Sequence, residues 1–338
     1  MQFNERKDCM KKLILIITSS DEPNIKNVIP FLEKMEEKFV RINTDEFFSD
    51  GFGSLCISGK EWSLSLGKKT ISEHDVKSIW YRRPYPPKYD EKIHPLYRGF
   101  VRNESSKFFT SAWSMFSRKN ILWINSPERL AFLEFNKSYQ MFMASRVGLN
   151  TPKTLISNNP SDILNFFDEC NGNVVVKIFG GTGCILDEQG RALTIYTHRI
   201  TRDDIINHRE EITQTPSIFQ EYVSKKIELR ITIVGCEIFS CGIYSQDSER
   251  TKDDWRRYDF MNVKHEVINL PLNIVEKLHA FMKELDLVFG AIDMILTPSG
   301  EYVFLEVNPS GQWGWIESIT NMPISESLAH TLSRGMTS

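Results

Sequence analysis

The stretch AIDMILTPSGEYVFLEVNPSG, residues 291–311, constrains this chain more than any other. Two alternating apolar segments flank Pro298–Gly300, which is the pattern of a β-hairpin. A four-residue loop over Pro298–Glu301 pairs Thr297 with Tyr302, and therefore Asp293 with Glu306. Asn308 shares a face with Glu306 by the period of two. One patch of sheet thus carries Asp293, Glu306 and Asn308, all oxygen donors, while Ile292, Met294, Leu305 and Val307 fill the other face. Like charges that face each other destabilise a sheet by up to about 1 kcal/mol when exposed, and by more when buried, so positive charge is expected between them. A few oxygen ligands with open positions suit Mg²⁺, which keeps waters and borrows phosphate oxygens. The competing reading is a solvated strand face on which Asp293 pairs with an arginine.

Around this hairpin the chain divides in two, as 338 residues suggest. Lys12–Ser20 reads as a strand, Asn24–Lys38 as a helix with Ile25, Val28, Ile29, Leu32 and Met35 on one face, and Phe39–Asn43 as a second strand. This βαβ opening predicts a parallel sheet, joined by two short strands in SLCISG and EWSLSLG. A strand over Lys77–Arg82, a long helix over 90–119 broken near Pro95, and the strand ILWIN complete an α/β domain over residues 1–124. Ser126 as N-cap and Pro127 at the first helical position start a helix running to Val147. Beyond it, over 125–338, short strands dominate (NVVVKIF, SIFQEYV, IELRITIV, EIFSCGIYS), an α+β pattern with antiparallel sheets.

Three further clusters of residues suggest chemistry. Lys177 lies in the apolar strand VVVKIF, just ahead of Gly180, Gly181 and Gly183. A buried lysine needs a negative partner, and a glycine-rich backbone can approach phosphate oxygens, although glycine clusters are more often plain turns. In IELRITIV, alternation sets Glu228, Arg230 and Thr232 on one face; that face is either solvated or a rigid acid and base lining a cleft, and both readings stay open. DDWRRYD puts Arg256 and Arg257 beside Trp255 and Tyr258, either as a surface charge cluster or as an anion clamp. Lys137, on the helix after Ser126, would alone be read as solvent-facing.

Charge and cysteine usage exclude several classes. The 41 basic against 44 acidic residues leave a net charge of −3, so no polyanion-coating surface is expected and nucleic acid is not an expected partner. The six cysteines, Cys9, Cys56, Cys170, Cys184, Cys236 and Cys241, contain no C-x-x-C pair, which argues against a zinc ribbon and for reduced cytoplasmic thiols. The apolar run Leu13–Ile17 is too short to span a membrane, so no membrane association is expected.

Taken in order, Lys137, Lys177 with its glycine loop, QEYV, Glu228, Arg230, Asp293 and LEVNP resemble the ATP-grasp ligase superfamily over about residues 125–320. WYRRP, INSP, the NK pair Asn136–Lys137, DWRRYD and LEVNPSGQWGWIE resemble its peptide-macrocyclising branch, the graspetide or microviridin-type ligases. This resemblance implies an α/β domain followed by an ATP-grasp fold, with antiparallel sheets enclosing the nucleotide and a lid over about 150–225. It implies that Lys137 and Lys177 hold ATP phosphates under Gly180, Gly181 and Gly183, that the backbone of Glu221, Tyr222 and Val223 meets adenine, and that Glu228 binds ribose. Arg230 would face the transferred phosphate, Asp293, Glu306 and Asn308 would hold Mg²⁺, and Arg256 and Arg257 would serve the peptide core or the acyl phosphate. The implied partner is a precursor peptide with a leader and an acidic core, and family analogy adds a possible homodimer. Two other readings remain: a ligase joining separate small molecules or amino acids, and a nucleotide-gated binding protein without catalysis.

Overall fold

The strand Leu13–Thr18 lies between two parallel partners, Phe39–Asn43 and Val76–Tyr81, and Leu122–Ile124 extends the sheet beyond the latter, also in parallel. Ile14, Leu15, Ile16 and Ile17 are fully buried, as a strand covered on both faces requires. The structure is a computed structural model that describes residues 12–336 except 47–51, 68, 89–90, 180–184, 187–188, 190–191, 194–195, 253–254 and 256–261.

Two compact units emerge. The first comprises residues 1–128 together with Gln312–Glu317 and Pro323–Ser338; the second comprises Arg129–Gly311 with Ser318–Met322. The sequence assigns everything after residue 124 to one domain, whereas the structure returns the last helix, Ile324–Arg334, to the first unit, where it packs against Ile25–Lys34 and Val76–Tyr81. Its amphipathic pattern explains this, since Ile324, Leu328 and Leu332 are fully buried at helical spacing. Also in the first unit, Gly53–Ser58, Glu61–Leu66 and Lys69–Ile71 form a small antiparallel sheet, and Pro95–Ser114 is one helix. That helix starts at Pro95 instead of continuing through it, because proline disfavours helical backbone in the residue before it but fits the first helical position.

The second unit carries two larger antiparallel sheets and a two-stranded one, Ile185–Leu186 with Ala192–Leu193. Four strands run in the order His198–Arg199, Val174–Lys177, Ser217–Glu221, Thr154–Ser157, with their own core around Ile163, Phe166, Val174, Ile205 and Phe219. Five strands run in the order His265–Val267, Glu237–Ile243, Ile227–Val234, Phe289–Leu296, Tyr302–Asn308. The expected single helix from Ser126 to Val147 is two, Pro127–Glu134 and Lys137–Arg146. At the break, the buried Gln140 side chain donates to the Leu133 carbonyl (2.8 Å) and accepts from the Val307 backbone N–H (2.9 Å). It thereby satisfies a helix-end carbonyl and pins Lys137–Arg146 to the strand Tyr302–Asn308.

The hairpin pairs Asp293 with Glu306, but by another route than the expected one. Thr297 accepts from the Gly300 N–H (3.0 Å) and donates to Glu301 (2.9 Å), and Gly300 has a φ of 88°, so the turn is a three-residue loop closed by a glycine bulge. Leu296, not Thr297, therefore pairs with Tyr302. A second irregularity between Asp293 and Met294 restores the expected register. The residue it inserts, Leu305, is half-exposed, while Phe304 and Val307 both join the core with Ile292 and Met294, which corrects the expected placing of Leu305 on that face.

Candidate active site

One row of sheet concentrates the charge. Cys241, Arg230, Asp293 and Glu306 face each other across four neighbouring strands. Arg230 Nη1 lies 3.0 Å from both oxygens of Asp293, and Lys137, the first residue of its helix, places Nζ 2.9 Å from Glu306 Oε2. The positive charge that two facing carboxylates demand is thus supplied from both flanks. Asn308 Nδ2 lies 3.5 Å from Asp293 Oδ2, which joins the third oxygen-donor candidate to the same patch. Burial pushes the Cys241 thiol up to about 11, so it stays protonated and takes no part in the charge balance.

Glu228, Arg230 and Thr232 are 5%, 6% and 0% exposed, and this decides between the two readings of that face: it is not solvated. Glu228 Oε1 accepts from Lys225 Nζ (3.0 Å) and from Ser245 Oγ (2.7 Å). The Arg230 guanidinium lies 5.9 Å from the ring of Trp255, which brings one residue of DDWRRYD to the row. Arg256 and Arg257, like Gly180, Gly181 and Gly183, lie outside the described residues.

Lys177 ends its strand with Nζ 2.6 Å from Gln220 Oε1, and Gln220 is itself held by Thr154 Oγ1 (3.1 Å) and Met141 Sδ (3.0 Å). In the following segment, the Glu221 N–H donates to Lys153 O (2.9 Å) and the Tyr222 N–H to Asn173 O (2.8 Å). The guanidinium of Arg199 stacks 3.5 Å from the Tyr222 ring. The donors of Glu221 and Tyr222 are therefore spent on the fold, and Val223 is the residue of this segment whose N–H carries no hydrogen bond among the described residues.

Sequence reasoning missed four residues here. Lys225 and Ser245 were hidden in a basic turn and a polar loop. Gln140 looked like an ordinary helix residue. Gly311 was legible only as part of NPSG, yet a Cβ there would stand 2.4 Å from the Ala291 Cβ and 2.7 Å from Arg230 Nη2, so any side chain at this position would force one of them to shift.

Among the described residues there is no cluster of three or more His, Cys, Asp or Glu side chains able to hold a metal. The donor set is two carboxylates and an amide, which fits a hard cation that takes its remaining ligands from phosphate and water. Arg82 of WYRRP lies in the first unit. Arg82 is 1% exposed and is held within the first unit by Glu22 (3.3 Å), Gln312 (3.0 Å) and the Trp313 ring (4.6 Å). Arg82 is thus held by residues of its own unit just past the carboxyl end of the strand Val76–Tyr81.

Two antiparallel sheets with lysines, an arginine and paired carboxylates are the architecture of an ATP-dependent ligase. Residues 13–130 match the family model "MvdD pre-ATP grasp domain". The macrocyclase MdnC of Microcystis aeruginosa, solved with its precursor peptide MdnA, is 30% identical, with 96% of this chain and 100% of that one covered and a TM-score of 0.81. A RiPP-associated ATP-grasp ligase of Chryseobacterium gregarium, solved with ADP and a leader and core peptide, is 27% identical over 96% and 98%, with a TM-score of 0.86. The α-aminoadipate–LysW ligase LysX of Sulfurisphaera tokodaii is 26% identical over 235 residues, 67% of this chain and 77% of that protein. This chain belongs to the ATP-grasp ligases, in the branch of the RiPP macrocyclases. It is an enzyme that uses ATP, and among its described residues no helix is long and apolar enough to cross a membrane.

Proposed function

We propose that this ligase closes rings in a ribosomally made precursor peptide, joining Asp or Glu side chains to Ser or Thr hydroxyls as esters, or to Lys amines as amides. A carboxylate is a poor electrophile at neutral pH and must first be activated. One of its oxygens attacks the γ-phosphorus of ATP, ADP departs, and an acyl phosphate forms. The hydroxyl or amine then attacks the acyl carbon, phosphate leaves, and the nucleophile gives up its proton. Positioning and charge neutralisation dominate phosphoryl transfer.

The observation that carries this reading is the row Arg230–Asp293–Glu306, whose first two members are buried, with the half-buried Lys137 at its end. Lys137 and Lys177 would bind phosphates, with Gly180, Gly181 and Gly183 above them, and Arg230 would meet the transferred group. The Val223 N–H and the Glu221 carbonyl would read adenine, beside Tyr222, and Glu228 would bind ribose. Mg²⁺ on Asp293, Glu306 and Asn308 would neutralise the charge of the triphosphate. Arg256 and Arg257 would face the acidic core or the acyl phosphate. The peptide class is supported by likeness along nearly the whole chain to MdnC and to the Chryseobacterium ligase, both solved with peptides.

The test incubates the protein, ATP and Mg²⁺ with a short acidic peptide encoded beside its gene. Loss of one water per bond, with matching ADP release, is expected. The likeness to LysX favours a second reading, ligation of two separate molecules. A product heavier than the peptide would establish that reading and overturn the first.

A further inference from the structure

Around Glu228, one buried cluster stands out in the second unit. Lys225 and Glu228 are both 6% exposed in their side chains, yet Lys225 stands in the turn before the strand, where a lysine normally keeps its ammonium in water. Its Nζ lies 3.0 Å from Glu228 Oε1 and 3.2 Å from the Lys252 carbonyl. Ser245 Oγ, 2.7 Å away, donates to the same Glu228 oxygen. The segment from Ser245 to Lys252 is in turn closed on itself. Thr251 Oγ1 donates to the Ser245 carbonyl (2.7 Å), and Gln246 Nε2 donates to the Lys252 carbonyl (3.0 Å) and to Ser245 Oγ (3.3 Å). Three residues beyond Lys252 lies Trp255, whose ring stands beside Arg230.

We infer that Lys225, together with Ser245, is a positioning residue that fixes the rotamer of Glu228 and ties it to the base of the segment carrying Trp255. One ammonium spans a strand carboxylate and a loop carbonyl, so the two cannot move independently while it stays in place. Two donors from different segments on one carboxylate oxygen restrict the rotamer that Glu228 can adopt. A carboxylate fixed in this way discriminates a ligand with hydroxyls from one without them, because its orientation costs no ordering at the moment of binding.

This inference rests on the proposed role of Glu228 at ribose, and the experiment separates the two. Apparent affinities for ATP and for 2′,3′-dideoxy-ATP are measured on the full-length wild type and on Glu228→Gln, Lys225→Met and Ser245→Ala. The wild type is expected to favour ATP, and Glu228→Gln should largely abolish that preference. Lys225→Met should reduce it by about tenfold, as expected for losing a charged hydrogen bond. It should also speed amide hydrogen exchange in 245–252 while the strand Ile227–Val234 stays protected. Lys225→Arg, which keeps two donors, should restore part of the preference. If Glu228→Gln keeps the full preference, the ribose role itself fails. If Glu228→Gln loses it while Lys225→Met keeps it, the positioning role alone is overturned. Should Lys225→Met not fold, Ser245→Ala decides: a smaller fall in preference supports the inference and an unchanged preference refutes it.

Discussion

Arg230 and Asp293 face each other on adjacent strands, and a single guanidinium nitrogen stands 3.0 Å from both carboxylate oxygens. Both side chains are buried, so neither charge is independent of the other. Asp293→Ala would strand a buried cation, a change that costs about 3–5 kcal/mol in comparable sites. The double variant Arg230→Met with Asp293→Ala should be more stable than the sum of the single losses predicts, by about 1–3 kcal/mol. Urea denaturation of all four proteins measures this, and additive losses would show that the pair is not coupled.

How much of this was legible in the sequence depends on the length scale of the cause. The parallel opening and the two antiparallel sheets follow from apolar period and turn residues, which are local signals. The cross-strand match of Asp293 with Glu306 was legible although the turn was misread, because two one-residue irregularities cancel between Gly300 and Asp293. The price of that cancellation is Leu305, whose side the alternation rule gets wrong. The break between Glu134 and Lys137 was not legible. It is maintained by a glutamine bonding to a strand 167 residues away, and no local pattern announces such a partner. Arg82 shows the same limit, since its ion pair with Glu22 and its stacking on Trp313 are tertiary facts.

Gly311 gives a prediction with a steric cause. A methyl group there overlaps the Ala291 Cβ and the Arg230 guanidinium, and the backbone of Ala291 sits in a central strand and cannot retreat. Gly311→Ala should cost about 1–3 kcal/mol by overpacking and should slow ATP-dependent turnover more than it weakens nucleotide binding. Turnover at saturating ATP, set beside the dissociation constant of ADP, measures both. Wild-type turnover would mean that Arg230 yields without consequence.

Asp45 predicts an acid limit for the first unit. Burial raises its carboxyl pKa, but hydrogen bonds from the Ser20 side chain and backbone, and from Lys88, outweigh that and hold it below the ordinary 3.8. A depressed folded pKa stabilises the protein above the unfolded value and loses that contribution as pH falls through the folded one. The wild type should therefore lose stability below about pH 4 more steeply than Asp45→Asn does, and should exceed that variant at pH 7 by about 1–3 kcal/mol. Melting curves between pH 3 and pH 7 decide it, and parallel curves for the two proteins would remove Asp45 from the account.

Lys137 supplies the most discriminating test of the proposed site, because its two roles predict effects of opposite sign. In the protein alone its ammonium neutralises Glu306 at 2.9 Å, so a divalent cation must break that ion pair before it can use the carboxylate. With nucleotide present, the same ammonium would have a phosphate to move to. Lys137→Met should thus strengthen Mn²⁺ binding in the absence of nucleotide by about fivefold, as about 1 kcal/mol of a partly exposed ion pair allows. The same change should weaken ADP binding. Mn²⁺ titration followed by electron paramagnetic resonance, and ADP titration by calorimetry, read the two quantities separately. A variant that loses both affinities together would show that Lys137 supports the site structurally and does not exchange partners with the phosphate.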